Sequence, residues 1–91
     1  MFHVLTSTYL QPPDVVGQTR PAHLAFLESE VAAGRLLLAG RQESGAGGLL
    51  VTAEISAEDV QDIIDRDPYT QAGVARYDVV SFTAAVRASG V

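Results

Sequence analysis

His23 and Asp67 are the residues of this 91-residue chain whose types and settings could move a proton. An imidazole can serve as general base and then as general acid, and a carboxylate beside it orients the ring and stabilises its cationic form. His23 stands in the run Arg20-Pro21-Ala22-His23-Leu24, and Asp67 opens the run Asp67-Pro68-Tyr69. Arg20 precedes His23 by one helical turn, and its guanidinium suits an anionic or phenolate group on a substrate. Tyr69 is placed with Arg20 as a substrate-binding residue, a packed ring with a satisfied hydroxyl. Plainer roles exist for each: His23 as an interfacial helix residue, Asp67 as the cap of the turn at Pro68, and Arg20 in an ion pair.

The composition removes several other chemistries. There is no cysteine, which excludes disulfides, thiolate catalysis and any zinc or iron–sulfur centre built on Cys ligands. All six basic residues are arginines, so neither Schiff-base lysines nor lysine-type phosphate loops are available. A formal charge of −5 with no basic cluster argues against nucleic acid and anionic membrane as partners. The run Ser44-Gly45-Ala46-Gly47-Gly48 leads into a strand and has no lysine, failing the dinucleotide and P-loop contexts alike. His3 is alone on a strand, which gives a metal site no support, and Ser7 and Ser81 have no assembled triad. No cofactor and no metal are therefore expected. The start of the chain lacks the features of a secretory signal, and no apolar run approaches the ~20 residues of a membrane span. A cytoplasmic protein is the expectation.

The elements that must position these residues follow from patterning. Phe2 to Tyr9 is uncharged on both faces and predicts a central strand. A connection from Leu10 to Gln18 leads to a helix capped by Thr19, with Pro21 in its first turn and Gly34 as its left-handed stop. Leu24, Leu27 and Val31 form the expected apolar stripe, with His23 at its edge and near the helix N-terminus, whose dipole favours the neutral imidazole. Arg35 to Gln42 reads as a second strand, Glu43 to Gly48 as a short flexible turn, and Leu49 to Ile55 as a third strand. Ser56 and Asp59 make a capping pair for a helix through Arg66, whose acidic residues form a mostly solvated face. Pro68 breaks that helix, a short turn reaches Gly73, Val74 to Phe82 is the last strand, and residues 83–91 are a tail. One domain over 1–91 results, with the α+β, ferredoxin-like order βαββαβ: a four-stranded antiparallel sheet with both helices on one face. The other face needs a cover, and a second copy of the chain is the obvious one.

Arg20-Pro21-Ala22-His23-Leu24, Gly34-Arg35-Leu36-Leu37 with Ala39-Gly40, and Asp67-Pro68-Tyr69 with Ala72-Gly73-Val74 resemble the motifs of YciI-like proteins of the dimeric α/β-barrel superfamily. The resemblance covers nearly the whole chain. It implies a homodimer pairing sheet to sheet into a barrel, a pocket between sheet and helices, and a histidine and aspartate, here His23 and Asp67, as the active-site pair. Relatives include a dehydrochlorinase of a chlorinated hydroxyhydroquinone, and the wider superfamily includes muconolactone isomerases and cofactor-free monooxygenases. The function implied is acid–base proton transfer of the lyase or isomerase type on a small cyclic or aromatic substrate. The alternative is a non-catalytic dimeric module that binds a small ligand or another protein. The chain departs from the family where Gly40-Arg41 replaces the usual glycine-proline and where the Glu43–Gly48 loop is short, so no particular substrate carries over.

Overall fold

The uncharged alternation at the start of the chain does produce an interior strand. In the computed structural model, which describes residues 1–91, β1 (Phe2–Tyr9) lies between β3 (Gly48–Thr52) and β4 (Ala75–Phe82), with β2 (Leu36–Arg41) outside β3. Every pairing is antiparallel, giving the order β2-β3-β1-β4 expected of a ferredoxin-like sheet. Register puts Leu5 opposite Leu50 and Val79, so His3, Leu5 and Ser7 share the inner face and are buried. There Leu5, Leu36 and Leu50 pack against Leu27 of α1 (Pro13–Ala32) and Val60 and Ile63 of α2 (Ala57–Arg66). Each fully buried side chain of this kind is worth roughly 1.5–3 kcal/mol. A one-turn helix, α3 (Pro68–Gln71), follows α2.

The first helix differs from its expected bounds. It begins at Pro13 rather than at Thr19, so most of the expected Leu10–Gln18 connection is helical. Pro12 is held extended by the proline after it, and Pro13 supplies a pre-set φ at the first helical position, with Asp14 favourable in the first turn. Gly17 and Pro21, which read as breakers, fall inside the helix. Pro21 withholds an N–H from Gly17, a cost outweighed by Val16, which is buried against Tyr69, Val74 and Ala75. His23 is consequently in the middle of α1, beyond reach of the helix N-terminus, and the expected dipole effect does not apply.

The buried stripe also differs. It is Val16, His23, Leu27 and Glu30, whereas Leu24 and Val31 are exposed in the single chain. Gly34 ends the helix as expected, with φ +79°, and the Gly34 and Arg35 N–H groups donate to the Val31 and Glu30 carbonyls as in a Schellman motif. The Ser56–Asp59 capping box is formed in full. The glycine run is a close contact rather than a loose turn: a Cβ on Gly47 would stand 1.7 Å from the Ser7 carbonyl oxygen.

The outer sheet face carries an exposed apolar patch. Val4, Val51 and Val80 lie in register across three strands, with Leu38 opposite Val51. Leu38 is 60%, Val80 64% and Phe82 45% exposed.

Glu30 is the unexpected member of the core, 2% exposed. Arg35 grips it with Nε and Nη2, each at 2.8 Å, and Arg66 Nη1 adds a third donor at 2.9 Å. Both guanidiniums also reach Asp62, so that part of the acidic helix face is tied into a network rather than simply solvated. The Arg35 hydrogen bond, against the opposing cost of burial, holds the Glu30 carboxyl below its usual range. A carboxyl lowered in the folded state contributes stability that is present above its unfolded pKa, about 4.3, and is lost as the pH falls through the folded value. Urea unfolding across pH is therefore expected to show stability declining below about pH 4.3. Glu30→Gln should flatten that decline while costing roughly 2–3 kcal/mol at neutral pH, because it leaves the partly buried Arg35 and Arg66 guanidiniums with Asp62 as their shared anionic partner.

Candidate active site

Asp67 occupies the break between α2 and α3, where Pro68 forces its backbone out of the helical region to φ −63°, ψ 125°. From there its carboxylate caps α3, accepting the Tyr69 N–H at 2.9 Å on Oδ1. The same oxygen accepts from His23 Nδ1 at 2.7 Å, and Oδ2 accepts the Tyr77 hydroxyl. The capping role and the histidine partnership, which read in sequence as alternatives, are thus held together by one side chain with no solvent exposure. An ionised carboxylate only accepts, and here a donor comes from each of α1, α3 and β4.

His23 is 8% exposed. Its ring stacks on that of Tyr69 with centroids 3.7 Å apart and planes 8° from parallel, and Tyr69 in turn meets Tyr9 edge to face. Since Nδ1 donates to Asp67, Nε2 carries the free lone pair of the neutral ring. It has no protein partner and borders a cavity of about 360 Å³. The cavity lies between the inner sheet face and α1, walled by Leu24, Leu27, Val31 and Leu50. Leu24 and Val31 are thus cavity-wall residues, exposed where Leu27 and Leu50 of the same wall are buried.

The four candidate site residues, His23, Asp67, Arg20 and Tyr69, reach this place. His23 and Asp67 are hydrogen-bonded, and Arg20, His23 and Tyr69 line the cavity. Arg20 makes no ion pair, contrary to its plainer reading. The Tyr69 hydroxyl, expected to be satisfied, is buried without a hydrogen-bond partner. Burial, with Tyr9 adding to it, pushes the Tyr69 phenol up, while the guanidiniums of Arg20 and Arg41 oppose.

Two contributors escaped sequence reasoning. Tyr77 lies opposite Ser7 on the inner face, a placement that the strand register would have indicated. Burial and the Asp67 charge push its phenol far up, so it remains a proton donor to the carboxylate. Arg41 closes β2 and lines the cavity. His3 is elsewhere, fully buried, with Nε2 on the Ile55 carbonyl and Nδ1 on the Ser81 hydroxyl. The Ser7 hydroxyl accepts the Gly48 N–H. No helix is long and apolar enough to cross a membrane.

Comparison with known proteins agrees with the motif resemblance. Residues 1–83 match the family model of the YCII-related domain. Over 24 residues, 26% of this chain, the sequence is 79% identical to the whole of a short sequence named "12 kDa protein" from Mycolicibacterium smegmatis. The fold is also that of 5-chloro-2-hydroxyhydroquinone dehydrochlorinase (TftG) from Burkholderia phenoliruptrix AC1100, solved with 2,5-dihydroxybenzoquinone. That structure matches with a TM-score of 0.73 and 21% identity, covering 91% of this chain and 94% of the other.

Removing donors from Asp67 should cost stability in a graded way. Tyr77→Phe is expected to lose about 1 kcal/mol. Asp67→Ala, which orphans His23 Nδ1, the Tyr69 N–H and the Tyr77 hydroxyl together, should lose roughly 3 kcal/mol or more. Equilibrium urea unfolding measures both, and equal losses would contradict the shared-acceptor geometry.

Proposed function

The chain belongs to the YCII-related domain family, and from that premise we propose that it is a cofactor-free acid–base enzyme acting on a small cyclic or aromatic substrate. The buried hydrogen bond from His23 to Asp67, with the opposite ring nitrogen facing a cavity, carries this reading. His23 Nε2 removes a proton from a carbon or hydroxyl of the bound substrate, and Asp67 orients the ring and stabilises the imidazolium that forms. In a lyase-type reaction the C–H electron pair becomes a new double bond, and the leaving group departs from the neighbouring carbon with its own bonding pair. In an isomerase-type reaction the same proton returns at a different carbon. Asp67 touches no substrate and is a positioning residue, kept in place by Tyr77 and the Tyr69 N–H. Arg20 and Tyr69 are the substrate-contacting residues of this scheme. The dehydrochlorinase of like fold supports an elimination as the first reaction to test.

The quaternary part of the proposal is a homodimer closed sheet to sheet. Its support is the uncovered patch of Leu38, Val80 and Phe82 on the face opposite the helices, together with the family membership. In sedimentation velocity the protein should run as a dimer. Leu38→Arg with Val80→Arg should shift it toward monomer, and an unchanged dimer would place the interface elsewhere.

The catalytic part is tested with chlorinated and hydroxylated cyclic compounds in deuterated water, read by NMR for elimination or for deuterium entering the substrate. His23→Gln should lower the rate by at least ~100-fold, the usual scale for losing a positioned base, with the fold retained. A wild-type protein that binds such compounds without elimination or exchange would be the binding module instead.

A further inference from the structure

Of the six arginines, Arg35 and Arg66 are engaged by Glu30 and Asp62, Arg76 by Asp78, and Arg87 by Glu54. Arg20 and Arg41 are the remaining two, and both line the one cavity that His23 borders. Acidic residues outnumber basic ones eleven to six in this chain, so two unpaired guanidiniums do not reflect a shortage of partners. Glu28 is the sole carboxylate on that cavity wall, and it forms an ion pair with neither. They reach the wall from opposite sides, Arg20 from α1 and Arg41 from the end of β2.

The Tyr69 hydroxyl is a second and independent observation. It is buried and has no acceptor, although a buried donor left unmade costs about 1–3 kcal/mol. Tyr69 lies where the main cavity meets a smaller recess of about 150 Å³, and Tyr9 and Arg41 line both spaces as well. Arg41 and Tyr69 thus share both spaces, and Arg20 shares the larger one with them.

We infer that Arg20, Arg41 and the Tyr69 hydroxyl form a subsite for a carboxylate carried on a small flat ring. The two guanidiniums supply charge-assisted donors suited to a carboxylate's two oxygens, and the oxyanion supplies the acceptor that the Tyr69 hydroxyl lacks. Such an anchor leaves the ring of the ligand in the cavity that Leu24, Leu27, Leu50 and His23 line together. The inference deepens the acid–base reading by naming the substrate's charge, and it rests on that reading only for the ring's position before His23.

Benzoate and benzamide, nearly equal in shape and different in charge, are the probes, titrated by calorimetry into the full chain. Benzoate is expected to bind at least ~10-fold more tightly than benzamide, the scale of one charge-assisted contact pair. Arg20→Gln and Arg41→Gln should each weaken benzoate by about 10-fold and leave benzamide unchanged, with thermal unfolding as in the wild type because neither side chain is in an ion pair. Tyr69→Phe should weaken benzoate by roughly 3- to 10-fold. His23→Ala should retain benzoate binding, and a wild-type chain that binds benzoate yet catalyses neither elimination nor exchange sinks the catalytic reading alone. Equal affinity for the two probes, no benzoate binding, or arginine variants that bind as the wild type would overturn the subsite.

Discussion

The carboxylate of Asp67 is the constraint on which the molecule depends. It is out of contact with water, and three elements that are distant in sequence each spend a donor on it: α1 through His23, α3 through the Tyr69 N–H, and β4 through Tyr77. A buried anion left without such donors would be prohibitively costly, so the three elements must arrive together and in one geometry. The orientation of His23 is a by-product of that necessity. The stacking of Tyr69 on the imidazole adds a second restraint, fixing the plane of the ring as well as its Nδ1 direction. A site made this way is preorganised by the folding of the chain and requires no ligand to assemble it.

A domain of this size has little apolar core to spare, and polar ties do part of the work. Glu30 joins the end of α1 to the start of β2 and to α2 through Arg35 and Arg66, as Asp67 joins α1 to α3 and β4. The two buried acids differ in kind. Glu30 is saturated by guanidiniums, which suits a structural clamp. Asp67 is met by neutral donors and by a histidine whose far side is open, which suits a group that must respond to a charge appearing on its neighbour.

Much of the fold was legible in the sequence because period-2 runs, a capping box and glycine stops are local signals. The strands, α2 and the Gly34 stop follow from residues within a few positions of each boundary. The start of α1 was not legible for the complementary reason. Gly17 and Pro21 lower helix propensity locally, and the packing of Val16 against Tyr69 and Ala75, more than fifty residues on, overrides them. His23 and Asp67 were recognisable as a pair through their motifs, while Tyr77 and Glu30 were not. A tyrosine on a strand and a glutamate on a helix face look ordinary until register and rotation show that each points at a buried partner. The exposed Leu24 and Val31 misled in the opposite sense, because a cavity wall and a core have the same hydrophobic pattern.

The two histidines show why burial alone does not mark a reactive group. His3 has no exposure, yet both of its ring nitrogens are consumed, one by the Ile55 carbonyl and the other by Ser81. Any proton movement there would break a bond that stitches β1 to its neighbours. His23 is scarcely more exposed, but it commits only Nδ1 and leaves Nε2 on a cavity. A carboxylate behind the ring can stabilise a positive charge that the Ile55 carbonyl and Ser81 hydroxyl could only partly accommodate. The difference lies in the bonding of the second nitrogen and the charge of the first one's partner. By that criterion the end of the inner sheet face where Ser7, Tyr77 and Asp67 meet α1 is where the proposed proton transfer belongs.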